Sequence, residues 1–234
     1  MHLPGVATFV SALDGRAVTA APEPGVRDSA VDQAFYEFVV PLQLYFGGYE
    51  VLHASAVRSR AGAVGFCAAA GTGKTTLAYG LSARGLALWA DDALVLDVSR
   101  RPQALLLPFS TRLRPAAKRF FEGSRMSPRV DPPPHEEVVP LAALAVIKRV
   151  AVGEREVQIE RLGGADAFHA LVEHAYRLDL DADHARRRAL IEGYLKIVAS
   201  VPVFEIGFRP GFRLFPSVLA RVGDWLDGEL GDAA

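Results

Sequence analysis

Residues 71–76 read Gly-Thr-Gly-Lys-Thr-Thr, directly after the apolar run Ala63 to Cys67 and directly before a helix-forming stretch. Glycines let successive backbone N–H groups turn inward around an anion. A helix starting at Lys74 adds the positive end of its dipole. Such a loop needs a strand before it and a helix after it, so the chain must contain an α/β core. Ala70, Gly71, Thr72, Gly73, Lys74, Thr75 and Thr76 are the expected phosphate contacts. Lys74 supplies a point charge to the β- and γ-phosphates, and Thr75 offers a hydroxyl to Mg²⁺. The full glycine pattern begins five residues before Gly73, where this chain has Ala68.

The chain has 234 residues, half of them hydrophobic, which suits one large α/β domain. Net charge is −1, so nothing pulls the whole molecule toward nucleic acid or anionic membrane. Cys67 is the single cysteine, which excludes an intramolecular disulfide framework and fits a reducing cytoplasm. The N-terminus lacks the basic start and unbroken apolar stretch of a signal peptide. The longest apolar candidate, Leu141 to Ile147, fits a buried strand rather than a membrane span. The expectation is a soluble, cytoplasmic protein with no nucleic-acid or membrane partner.

The pattern along the chain predicts a single domain, 1–234. Residues 1–48 form a strand and helix elaboration, 49–98 the phosphate-loop core, and 99–234 the acceptor side and C-terminal part. Asp14-Gly15 predicts a hairpin turn, and residues 21–28 a loop. Asp28-Ser29 is a candidate cap for a helix through Val39, which Pro41 kinks or restarts and Gly47-Gly48 ends. Tyr49 to Val57 predicts one strand, followed by a turn at 58–62 and a return strand at Ala63 to Cys67. A β-hairpin thus leads into the loop. Lys74 to Arg84 predicts a helix, then Leu86 to Ala90 and Ala93 to Val98 two apolar runs. Residues 99–119 carry six basic residues and no acidic ones, and 122–137, with Pro132-Pro133-Pro134, predict a long loop. Further strands are expected within 138–150, 157–162 and 203–208, and helices over 165–176, 182–200 and 215–226.

Asp91-Asp92 end the strand that follows the phosphate-loop helix. Strand C-terminal ends share one sheet edge, where ligands sit. The two carboxylates can divide the work, one on Mg²⁺ and one on a hydroxyl proton. Alternatively, one binds metal and the other caps a turn, since adjacent strand side chains point to opposite faces. His53 sits on the strand that the hairpin carries toward the loop, where a neutral imidazole can orient a carboxylate or a nucleophile. Arg112, Arg114, Lys118 and Arg119 are either a grip for phosphates or an acidic peptide, or a solvated basic face. His174 and Tyr176 read as packing or surface residues, and Arg186-Arg187-Arg188 as solvated.

Leu52-His53-Ala54-Ser55-Ala56, then the loop, then Arg84-Gly85-Leu86-Ala87-Leu88-Trp89-Ala90-Asp91-Asp92 resembles the catalytic domain of HPr kinase/phosphorylase. The resemblance covers residues 49–98. It implies an HPr-kinase-like, phosphoenolpyruvate-carboxykinase-like P-loop core with a mixed sheet flanked by helices. It also implies phosphorylation of a protein serine with ATP or GTP and Mg²⁺. By position, Asp91 resembles the base that takes the serine proton, His53 the histidine supporting it, and Lys74 the stabiliser of the transferring group. Asp92 then falls to the metal with Thr75, and Arg112 and Arg114 to the substrate. The glutamate-containing, glycine-rich signature of the bifunctional enzymes has no counterpart here, and no N-terminal regulatory domain of the usual size precedes the core. Leu107-Pro108 to Arg114 and Glu173 to Arg177 resemble the compact HPr-kinase-like proteins of bacterial biosynthetic clusters, some of which phosphorylate lasso-peptide precursors. The family tendency implies a homo-oligomer. Two other readings stand beside the serine kinase: a kinase of a small-molecule hydroxyl, and a nucleotide-binding sensor or assembly partner without phosphotransfer.

Overall fold

The computed structural model describes residues 1–12, 17–124, 126, 138–150, 156–176, 184–228 and 230. The expected turn at Asp14-Gly15, the triple proline, Arg177, Asp181 and Asp183 lie outside the described residues. In chain order the elements begin with β1 His2–Leu3, β2 Ala7–Ser11, β3 Val18–Pro22 and α1 Asp28–Ala34. A π-helical turn, Phe35–Val39, joins α1 to α2 Val40–Phe46. Then come β4 Glu50–Leu52, β5 Ala54–Ser59, β6 Gly62–Cys67, α3 Lys74–Ser82, β7 Ala87–Ala90, β8 Leu94–Asp97, β9 Gln103–Leu105 and α4 Pro115–Gly123. The chain closes with β10 Val138–Arg149, β11 Val157–Arg161, α5 Gly164–Val172, α6 His184–Ser200, β12 Val203–Phe208 and α7 Phe215–Gly228.

Among the described residues, nine strands join in one mixed sheet, and β1, β2 and β3 form a separate three-stranded sheet. Strand β10 is the organiser. Its first residues pair antiparallel with β9, and the rest pairs parallel with β6 and with β12. Outward from β6, β5 and then β7 follow, each antiparallel to its neighbour. On the other side β9 leads to β8 and β4.

Strand alternation sorts the apolar side chains onto two faces. Val57, Val64, Phe66, Ala143, Ala145 and Ile147 form one core with α3, α4 and α7. Ala54, Ala56, Cys67, Leu144 and Val146 form the other with Trp89, α5 and α6. Each large apolar side chain buried in these layers stabilises the fold by about 1.5–3 kcal/mol. A third, smaller core joins Ala7 and Phe9 of β2 to Val31 and Ala34 of α1.

Two expectations need correction, and a third is sharpened. Tyr49 to Val57 is not one strand: it breaks at His53, where the chain leaves β8 as partner and takes up β6. Asp28 does not cap α1 but is its first residue, with Arg27 at the cap position. Of the two outcomes expected at Pro41, a kink or a restart, the structure shows the restart: α2 begins at Val40. Pro41 lies in the first turn of α2, and the wide π turn precedes it. A proline lacks the N–H that would bind the carbonyl four residues back, and its ring crowds that carbonyl. That carbonyl belongs to Glu37, inside the turn that widens.

The β5–β6 hairpin closes on Gly62, which has a φ of +134°. A methyl group there would stand 2.2 Å from the carbonyl oxygen of Pro140. Backbone strain and a clash with rigid backbone then act together. Gly62→Ala should lower stability by about 3 kcal/mol in denaturant titration, and an unchanged midpoint would contradict this account of the hairpin.

Candidate functional site

Strand β6 ends at Cys67 and α3 begins at Lys74, so residues 68–73 form the loop that the glycine motif requires. Gly71 and Gly73 have φ of +82° and +127°, a region that only glycine enters cheaply. Ala68 is buried and is not among the residues with positive φ. The missing first glycine therefore leaves the backbone unstrained, and the Ala68 carbonyl accepts a bond from Lys74 Nζ at 3.3 Å.

Sheet register brings the other predicted residues to the same edge. Ala54 of β5 faces Cys67 of β6, so His53 lies beside the start of the loop. Ala56 faces Ala90, the last residue of β7, so Asp91-Asp92 emerge next to them. Asp92 has a φ of +69°, uncommon for any residue but glycine and most tolerable for Asn or Asp. With this turn both carboxylates line one cavity instead of pointing to opposite faces.

Two hydrogen-bonded groups result. Lys74, 7 % exposed, reaches His53 Nε2 at 2.9 Å. An ammonium only donates, so Nε2 accepts and Nδ1 carries the proton. That Nδ1–H donates to the Asp92 carbonyl at 3.0 Å and faces the Asp92 carboxylate at 3.2 Å. The second group is centred on Asp91, whose Oδ1 accepts from Ser55 Oγ at 2.6 Å and Thr75 Oγ1 at 2.9 Å.

Burial governs the charges. It lowers the Lys74 pKa, an effect that Asp92, Cys67 and Asp91 oppose. It raises the Asp91 carboxyl above its ordinary value, against the two hydroxyl donors. In the hydrogen bonding, Asp91 joins Thr75 and Asp92 joins His53.

Two residues read from sequence as packing lie at this site. Residues 174–176 strap the broken strand: the His53 N–H donates to the His174 carbonyl and the Tyr176 N–H to the Val51 carbonyl, both at 2.8 Å. Burial lowers the His174 pKa; Glu173 opposes it, while Lys74 and His53 add to it. Burial, then the charge of Asp92, raises the Tyr176 pKa. No sequence periodicity announces such a strap, because it is a single bridge, Leu52 to Ala175, outside any regular strand.

The loop separates two clefts. One, of about 180 Å³, holds Thr75, Asp91 and Asp92, walled by Tyr36, Glu37 and Phe38 of the π turn and by Leu107 to Arg112. The other, of about 280 Å³, lies along Gly71, Gly73 and Thr76 and runs to the turn after β12. Arg112 and Arg114, expected together, are divided between them. Arg112 is held in the first cleft by Glu37 at 2.8 Å, which also accepts from Ser110 and Gln33. Arg114 lines the second, so close to Gly71 that a methyl group there would meet its guanidinium at 2.9 Å. Arg149, at the end of β10, donates to the Gly71 carbonyl, and Arg209 follows β12. These last two were missed, since isolated arginines more than seventy residues from the motif carry no local signal.

No family model matches the sequence, and no curated protein matches it. Among solved structures the chain is similar to the HPr(Ser) kinase/phosphatase from Coxiella burnetii. The two are 12 % identical, the match covers 74 % of this chain and 94 % of that one, and the TM-score is 0.38. The chain has a mixed α/β architecture whose mixed sheet is flanked by helices. Among the described residues no helix is long and apolar enough to cross a membrane.

Cys67, between the loop and the core, tests whether this edge is closed. It is fully buried, and burial pushes its thiol up to about 12. The thiolate is the reactive form, so at neutral pH the folded protein should resist a thiol reagent. One equivalent should react in denaturant. Fast labelling of the native protein would mean that the end of β6 is open to solvent.

Proposed function

We propose that this protein is a phosphotransferase that moves the γ-phosphoryl group of ATP or GTP onto a serine hydroxyl of a protein or ribosomally made precursor peptide. The observation that carries the reading is the paired arrangement at one sheet edge. Asp91 is bonded to the hydroxyl beside the loop lysine, and a second carboxylate, Asp92, is held by an imidazole that the same lysine touches.

Each group then has a task. Thr75 and Asp91, both hard oxygen donors, suit Mg²⁺. Among the described residues no three His, Cys, Asp or Glu side chains converge on a metal, so phosphate oxygens and water would complete its shell. When bound, Mg²⁺ neutralises phosphate charge. The Lys74 ammonium leaves His53 and the Ala68 carbonyl for phosphate oxygens and stabilises the transferring group. Asp92 takes the acceptor's proton as the acceptor oxygen bonds to phosphorus and the bond from phosphorus to the leaving diphosphate breaks. His53 positions Asp92 through Nδ1–H. The cavity volume of about 180 Å³ favours a second reading as well, a small-molecule alcohol as acceptor. A peptide panel, including peptides ending in serine, and a metabolite panel with γ-labelled ATP separate the two.

Asp92→Asn should cut kcat by about 10²–10⁴ while leaving the nucleotide Kd near that of the parent protein. Full phosphoryl transfer by Asp92→Asn with every acceptor it uses would sink this assignment of the base. Asp91→Asn should instead weaken the Mg²⁺-dependent part of nucleotide binding. The Asp91 carboxyl titrates above its ordinary value, so metal-dependent affinity should rise as pH climbs through that raised pKa and fall below it. In Asp91→Asn that pH dependence should vanish.

A further inference from the structure

The 280 Å³ cleft has a chemistry of its own. Arg114, Arg149 and Arg209 line it, and no carboxylate does. The opposite cleft holds three carboxylates, Glu37, Asp91 and Asp92, against one guanidinium, Arg112. Polyanions therefore belong on the arginine side of Lys74. Two of its arginines already crowd the loop at Gly71. The third, Arg209, has a buried Nε that meets no hydrogen-bond acceptor among the described residues.

Beyond the arginines the lining turns apolar. Ala116, in the first turn of α4, and the Gly211-Phe212 turn both line it. Phe212 is braced from behind by Phe120, with ring centroids 4.9 Å apart and planes 19° from parallel. A fixed aromatic face stacks on any base, because every base presents a π-face.

We propose that this cleft binds the nucleoside half of a nucleoside triphosphate, with Arg114 and Arg149 gripping its polyphosphate from the side opposite Lys74 and Phe212 holding its base without selecting it. The assignment rests on the phosphotransferase reading, and it deepens that reading by naming the donor's seat. ATP and GTP should bind within a few-fold of each other, since the side chains here supply donors and stacking but no acceptor pattern that tells one purine from the other.

The test compares ATP, GTP and inorganic triphosphate by calorimetry on the full chain, in Mg²⁺. Arg149→Gln should weaken all three roughly tenfold. Phe212→Ala should weaken the two nucleotides roughly tenfold and leave triphosphate unchanged. Phe212 also packs in an aromatic cluster, so Ala116→Trp, at an exposed position, serves as the second variant: it fills the cleft and should spare triphosphate alone. Triphosphate binding as tightly as ATP to the parent protein would overturn the assignment, as would unchanged ATP affinity in Ala116→Trp. If Lys74→Ala abolishes binding of all three while the cleft variants change nothing, only the seat is wrong. If the parent protein binds none of them, the phosphotransferase reading falls with it.

Discussion

Strand β10 is the constraint on which the architecture depends. Twelve residues long, it is antiparallel to β9 at its start and parallel to β6 and β12 beyond. Parallel neighbours require crossovers that return the chain to the same sheet edge. That geometry sends the ends of β6, β10 and β12 to one side, where the glycine loop, Arg149 and Arg209 emerge in sequence across the sheet. A slip of one residue would exchange the apolar sets of its two faces. The buried side chains on both faces, Ala143, Ala145 and Ile147 on one and Leu144 and Val146 on the other, oppose that slip. Register and function are therefore coupled: what keeps Leu144 opposite Gly65 also keeps Arg149 within reach of Gly71.

The break at His53 is the second determinant. A continuous strand would have hidden this residue in a ladder. Instead β4 pairs with β8, β5 pairs with β6, and His53 stands between them with its N–H given to the 174–176 strap. An imidazole at such a joint has a backbone fixed by the strap and a ring bonded on both nitrogens. The ring can then mediate between a buried lysine and a largely exposed carboxylate, Asp92, whose side chain is 77 % exposed.

Much of the edge was legible because its information is local. Gly71 and Gly73 declare positive φ, the apolar run before them a strand, and Asp91-Asp92 a strand end, all within forty residues. The split of Tyr49 to Val57 was not legible, since Leu52 and Ala54 are equally apolar and only their different partners separate them. The π turn follows from Pro41, yet the sequence does not say whether a proline there breaks, bends or widens a helix. The placement of both aspartates in one cleft goes with the positive φ of Asp92, which no local pattern announces. The strap and the two missed arginines depend on topology alone: His174, Arg149 and Arg209 share no spacing with the motif they surround.

The distribution of charge about Lys74 adds direction to the proposed reaction. Arginines line one cleft beside the loop and carboxylates the other, and the loop lysine, Lys74, is buried. A phosphoryl group in transit is most negative on the donor side and meets an acceptor that must lose a proton. The arginine side suits the first requirement and the carboxylate side the second. The π turn matters for the same reason. Its Glu37 pairs with Arg112, the one guanidinium that lines the cleft of Asp91 and Asp92 among the described residues. The N-terminal elaboration thus contributes walls, and one carboxylate, to the cleft that holds Asp91 and Asp92.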